Sequence, residues 1–245
     1  MAEGFDAARA AIRLAGWMRR RVRAAGARGL VFGISGGVDS AVVAALARRA
    51  CPGNLLGLFL PCDSDPIDER MAGLVARSLD IPMRTVDLSP AYRALLAGAE
   101  VVAGDGDPPL ARANLKARLR MATWYYYANR LDYLVAGGGN RSELEVGYFT
   151  KYGDGGVDLL PLAGLVKGQV YELAAHLGVP ADVLRRPPTA GLWPGQTDEA
   201  ELGLTYADLD TYLLTGRGPA GVAGRVEAMR HRSRHKRRAP ARPRP

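Results

Sequence analysis

The chain has 245 residues, 48% of them hydrophobic and 24% charged, with a formal net charge of +8. That length allows one domain or two small ones with a substantial core. No apolar run approaches the roughly 20 residues needed to span a bilayer, no secretory leader opens the sequence, and Cys51 and Cys62 are too few for a disulfide framework or a cysteine-ligated zinc site.

A cytoplasmic location is therefore expected. The excess charge is local: residues 225–245 hold nine Lys or Arg against one Glu, while the rest balances 24 basic against 24 acidic residues. Residues 1–224 read as one domain, and 225–245 as a basic tail for nucleic acid, a membrane surface, a phosphorylated substrate or simply solvent.

An amphipathic helix is expected from about Phe5 to Arg23, with Ile12, Trp17 and Val22 as apolar positions. The run from Gly29 to Ile34 reads as a buried strand. Ser35-Gly36-Gly37-Val38-Asp39-Ser40 follows it and opens a helix, Val38 to Leu46. A strand, a small polar loop and a helix N-terminus together present backbone N–H groups and a positive helix end to a phosphate. Ser35 and Ser40 add hydroxyls, and the Asp39 carboxylate can hold a divalent cation. The loop lacks the Lys of G-x-x-x-x-G-K-[ST], so it is not the kinase-type phosphate loop. The alternative is an ordinary strand-to-helix turn capped by Ser.

Leu55 to Leu60 reads as a second strand, Pro66 to Leu79 as a helix and Met83 to Val86 as a third strand. Asp105 to Pro109 is a loop. A long helix, about Leu110 to Asn129, carries an apolar stripe of Leu115, Leu119, Ala122 and Tyr126. Arg112, Lys116 and Arg120 form a solvated basic stripe on it, whereas Arg118 sits at the stripe's shoulder and needs an anionic or acceptor partner. Tyr133 to Ala136 is a fourth strand running into Gly137-Gly138-Gly139-Asn140. Strands alternating with helices imply a doubly wound α/β fold, a mostly parallel sheet with helices on both faces. Ligands bind past the carboxyl ends of such strands, so the loops at Gly36 and Gly139 are expected to face one pocket.

Asn140 to Asp158 is a functional loop dense in charge and glycine. Lys167 opens a helix, Gly168 to Leu177, where a cation opposes the helix dipole unless an anion joins it. Asp198 and Glu199 begin a short helix capped by Thr197, and His176 beside an apolar stripe is read as structural.

The S-G-G-x-D-S string resembles the signature of the ATP pyrophosphatase (N-type) superfamily. The stretch from Asn140 to Asp158 resembles ammonia-dependent NAD synthetases, as do Asn114–Met121, Leu159–Leu162, Pro187–Leu192, Gln196–Gly203 and His235–Arg237. The resemblance runs from about residue 29 to 238. It implies an adenine nucleotide alpha hydrolase-like fold, with residues 1–224 as the synthetase domain, and a homodimer built through the helix around residues 110–130. It also implies an amidation: ATP activates the carboxylate of nicotinic acid adenine dinucleotide (deamido-NAD) as an acyl adenylate, and ammonia displaces AMP to give NAD. Glutamine-dependent relatives carry an extra amidase domain for which this chain has no room, so free ammonia is the expected donor.

By the same resemblance Gly33, Ile34, Ser35, Gly36, Gly37, Val38, Asp39 and Ser40 hold ATP with Gly138, Lys167 and Thr189. Asp39 and Glu143 hold Mg²⁺. Arg118, Lys151, Asp158, His235 and Lys236 contact deamido-NAD, and the tail closes on substrate. Lys167 and Asp154 are the catalytic candidates, Asp154 as a base for ammonium. Gly138 stands where the family usually has a Ser or Thr hydroxyl. Two other readings remain: a tRNA-modifying ATP pyrophosphatase holding RNA by its basic tail, against which the neutral body speaks, and a non-catalytic nucleotide-binding regulator.

Overall fold

The computed structural model describes residues 4–100, 109–189, 191 and 195–243. Its elements are α1 (Ala7–Ala24), β1 (Gly29–Gly33), α2 (Val38–Ala50), β2 (Leu55–Phe59), α3 (Pro66–Ser78), β3 (Met83–Thr85), α4 (Ser89–Glu100), α5 (Pro109–Leu131) and β4 (Tyr133–Ala136). There follow α6 (Arg141–Val146), α7 (Lys167–His176), α8 (Ala181–Leu184), α9 (Asp198–Leu202), α10 (Tyr206–Thr215), α11 (Val222–Arg232) and a 3-10 turn, Arg234–Arg237. Four strands pair in parallel in the order β3-β2-β1-β4. After β3 the chain returns past β2 and β1 to add β4 on the far side. The order thus reverses between β1 and β4, and the crevice beyond their carboxyl ends is where a doubly wound sheet takes a ligand.

Alternation along β1 splits the core. Leu30 and Phe32 pack with residues of α1, α2, α3 and α7 on one face, and Val31 packs with residues of α4 and α5 on the other. A third cluster joins Val146, Leu202, Leu209, Leu213 and Val226, from α6, α9, α10 and α11. No helix among the described residues is long and apolar enough to cross a membrane.

Several sequence expectations shift. Ile12 is 74% exposed, and α1 instead buries Ala10, Ala11, Ala15, Met18 and Val22. On α5 the buried positions are Ala113, Lys116, Ala117 and Ala128, whereas Ala122 and Tyr126 are exposed. Two residues of the expected basic stripe are thereby turned inward. Lys116 lies over the Tyr92 ring at 5.3 Å, and Arg120 donates to Leu60 O at 3.0 Å and Ser64 Oγ at 3.3 Å. Arg118 is exposed instead of shouldered. The helix α4 has no counterpart in the sequence reading. Positions 105–108 of the expected loop lie outside the described residues, as do Ala190 and Leu192.

Candidate active site

The phosphate-loop segment is shaped by its own hydroxyls. Ser40 Oγ donates to Gly37 O at 2.8 Å and accepts from Ser35 N–H at 3.2 Å, while Gly37 N–H donates to Ser35 Oγ at 3.3 Å. Gly36 has φ +79, and a Cβ there would lie 2.6 Å from Met71 Cβ, so only glycine closes this turn against α3. Asp39 then falls in the first turn of α2.

Opposite it, Asn140 ends the loop after β4 and caps α6. Its side chain accepts from Glu143 N–H, and Glu143 Oε2 accepts from Asn140 N–H. Asn140 Nδ2 also donates to Asp39 Oδ1 at 2.9 Å, tying the two loops across the crevice. Sequence reasoning missed this residue, although N-x-x-E before a helix is a capping signature.

Lys167 enters from the start of α7 and is 3% exposed. Its ammonium donates to Asp39 Oδ2 at 2.5 Å and Glu143 Oε1 at 3.1 Å, and lies 4.9 Å from the centre of the Tyr206 ring. Burial opposes its charge, but the carboxylates of Asp39 and Glu143 outweigh that and hold it protonated far above the usual lysine range. Burial pushes the Glu143 carboxyl up to about 7, with Lys167 pulling it down and Asp39 pushing it up. Two hard oxygen donors already share one cation here. Among the described residues no three His, Cys, Asp or Glu side chains gather to hold a metal by themselves. This donor set suits Mg²⁺, which takes one or two carboxylates and completes its shell from phosphates and water.

Behind this trio lies a polar layer that the sequence did not announce. Asp198, 4% exposed, accepts from Tyr148 Oη at 3.0 Å and from Tyr206 Oη at 2.9 Å. Burial raises its pKa against the pull of Lys167. By residue type it reads as the start of a short helix capped by Thr197, while the resemblance to the synthetases sets this acidic loop near the ammonia entrance.

Asp39, Glu143, Tyr148, Lys167 and Asp198 border one cavity of about 540 Å³. Every residue from Gly33 to Ser40 except Gly36 lines it, with Arg118, Glu143, Lys151, Asp154, Lys167, Thr189, His235 and Lys236. Gly138 is not among the lining residues, although an added Cβ there would stand 3.5 Å from Asp39 Cβ. Asp158 is not brought in: its carboxylate accepts from Val135 N–H at 2.8 Å and Tyr125 Oη at 3.0 Å, which fixes the loop after β4 from behind. Asp154 is exposed toward the open cavity, and the neighbouring protein partly desolvates its carboxyl. Burial raises its pKa against the Thr150 N–H that donates to it at 2.8 Å. Lys236 donates to Gly147 O at 2.8 Å and Phe149 O at 2.7 Å, so the tail straps the segment ahead of Lys151. Trp124 Nε1 is buried in the opposite wall without a hydrogen-bond partner. Arg186 of the 185–189 segment, which also lines the cavity, pairs with Asp68 of α3.

The family model described as NAD synthase matches residues 11–240. The chain belongs to the NAD synthase family. An NH(3)-dependent NAD(+) synthetase of Carboxydothermus hydrogenoformans is 50% identical over 93% of this chain and 94% of its own length. Among solved structures, an NMN synthetase from Francisella tularensis superposes with a TM-score of 0.92 at 38% identity, over 98% of this chain and 99% of that one. An NAD+ synthetase from Burkholderia pseudomallei gives 0.78 at 34% identity, over 96% and 91%. The doubly wound architecture is thus the adenine nucleotide alpha hydrolase-like fold of NAD synthases, and its sheet crevice holds the cavity built above.

Proposed function

We propose that this chain amidates deamido-NAD with ammonia at the expense of ATP, giving NAD, AMP and pyrophosphate. The observation that carries this reading is the buried Asp39–Lys167–Glu143 trio at the mouth of the Ser35–Ser40 loop, in a chain 50% identical to an ammonia-dependent NAD synthetase.

In this reading the loop N–H groups and the N-terminus of α2 hold the β- and γ-phosphates. The acceptor carboxylate attacks the α-phosphorus, the bond to the β-phosphate oxygen breaks, and pyrophosphate leaves. Ammonia then adds to the acyl carbon, and AMP departs with the former carboxylate oxygen. Asp39 and Glu143 are the residues that would hold Mg²⁺. When bound, such a cation would supply positive charge to offset that of the phosphates. Lys167 supplies a fixed positive charge to the α-phosphate as negative charge grows there. Asp154, kept basic by burial, takes the proton released as ammonium becomes ammonia. Thr189 and Gly138 border ATP. Arg118, Lys151, His235 and Lys236 face the dinucleotide, and Asp158 acts from behind by holding the loop after β4. The tail, 225–245, belongs to the substrate side of a single unit, 1–224, and not to a nucleic acid. The enzyme works in the cytoplasm as a homodimer joined through α5, whose Leu110 and Tyr126 are 63% and 56% exposed.

A second acceptor is favoured by one finding. The superposable Francisella protein is named an NMN synthetase, so nicotinic acid mononucleotide is the competing substrate. Purified chain given ATP, Mg²⁺ and ammonium is expected to turn over deamido-NAD with the larger kcat/KM. A larger value for the mononucleotide would reverse the acceptor assignment, and no amide product from either would refute the function. Ammonia-free glutamine is expected to give no NAD, and turnover with it equal to ammonium would refute the donor.

A further inference from the structure

The helix α10 contributes no residue to the cavity wall, yet one of its side chains reaches the frame of the site. Asp210 is 8% exposed, within the stripe Tyr206, Leu209 and Leu213 that packs the third cluster. Its Oδ1 accepts from Ser142 Oγ at 2.5 Å, and its Oδ2 accepts from Gly168 N–H at 2.7 Å. Ser142 Oγ also accepts from Lys167 N–H at 3.1 Å. Ser142 precedes Glu143 and Gly168 follows Lys167. One carboxylate therefore clamps the first turn of α6 to the first turn of α7, next to Glu143 and to the Lys167 whose ammonium both Glu143 and Asp39 hold.

The chemistry of the clamp is specific. The first N–H groups of a helix have no acceptor inside it, and its N-terminal end is positive. The N-cap of α7 is Val166, whose side chain offers no acceptor. Asp210 fills that place from another helix, where a buried carboxylate is stabilised by both hydrogen bonds and dipole. The residue is unused by the reaction, yet it lies among apolar neighbours where an Asp is costly.

We propose that Asp210 is a positioning residue, which sets the spacing between Glu143 and Lys167 and so tunes the site for ATP with its cation. The inference rests on the reading of that site as the ATP site.

The test measures ATP·Mg²⁺ affinity by calorimetry and thermal stability by melting, for wild type, Asp210→Ala, Lys167→Met and the double variant. Loss of an outer-shell partner of this kind costs about 10- to 100-fold in affinity, which is expected for Asp210→Ala. In the Lys167→Met background the same change is expected to cost less than about threefold, because the spacing no longer serves an ammonium. The melting temperature is expected to fall equally in both backgrounds. Asp210→Asn can accept from Gly168 N–H and donate to Ser142 Oγ, so it is expected to restore affinity to within about threefold of wild type. If Asp210→Ala fails to fold, Ser142→Ala takes its place in the cycle, removing the hydroxyl's link to Asp210 together with its bond from Lys167 N–H. Equal affinity losses in both backgrounds, a lowered melting temperature with unchanged affinity, or an Asn variant as weak as Ala would overturn the proposal. No ATP binding by the wild-type chain would overturn the nucleotide-site reading as well, an outcome distinct from the other three.

Discussion

Replacing Lys167 by Met removes the one charge, among the described residues, that neutralises Asp39 and Glu143 at hydrogen-bond distance. The ammonium sits 2.5 Å from one carboxylate and 3.1 Å from the other, on a side chain 3% exposed. Removing one member of a buried ion pair typically costs about 3–5 kcal/mol, because the remaining charge stays desolvated. The loss has a pH signature. Burial already raises Glu143 to about 7, and without Lys167, its chief opposing influence, it rises further. A carboxyl whose folded pKa is raised binds more protons folded than unfolded, so stability falls as pH climbs from its unfolded value to its folded value, by about 1.4 kcal/mol per pH unit for one proton. In the wild type that fall ends near pH 7; in the variant it continues through pH 8. Lys167 itself stays charged in both states over this range, since its folded pKa is raised, and adds no slope. Urea unfolding at pH 6, 7 and 8 measures the difference directly. A Lys167→Met protein as stable as wild type at pH 8, or one whose stability runs parallel to wild type from pH 7 to 8, would refute the argument.

Asp154→Asn is expected to lower kcat/KM for ammonium by about 10²–10⁴-fold while leaving ATP affinity within about twofold, a split read from initial rates and calorimetry. Gly33→Ala places a Cβ 2.8 Å from the Trp124 ring and is expected to destabilise the chain by about 1–3 kcal/mol in urea unfolding, with Trp124→Leu relieving most of that. Lys236→Met removes two donors from the carbonyls of Gly147 and Phe149. It is expected to speed proteolysis near residues 147–151 and raise the KM for deamido-NAD; unchanged cleavage would separate the tail from that segment.

The sheet was legible because β1, β2 and β4 are short apolar runs, and β4 falls on Tyr133–Ala136 as read. The pocket between the Gly36 and Gly139 loops followed from the topology alone. The faces of the helices were harder to read. On α1 and α5, alanines take the buried positions, and alanine carries little hydrophobic signal, so Ile12 and Tyr126 seemed better core residues than they are. Lys116 and Arg120 looked solvated because helical spacing does not say which stripe meets the sheet. Lys167 was legible as a cation needing an anion. Asn140, Asp198 and Asp210 were not, since each acts on a residue 42 to 101 positions away. An Asp in the apolar stripe of α10 was the one local signal for the last of these.

The bond that ATP gives up tests the account most directly. Deamido-NAD labelled with ¹⁸O in its carboxylate is turned over with ATP, Mg²⁺ and ammonium, and the products are weighed by mass spectrometry. The account predicts NAD retaining one labelled oxygen, AMP carrying the other, and unlabelled pyrophosphate. Label in phosphate with ADP as co-product, or NAD formed beside unlabelled AMP, would contradict it.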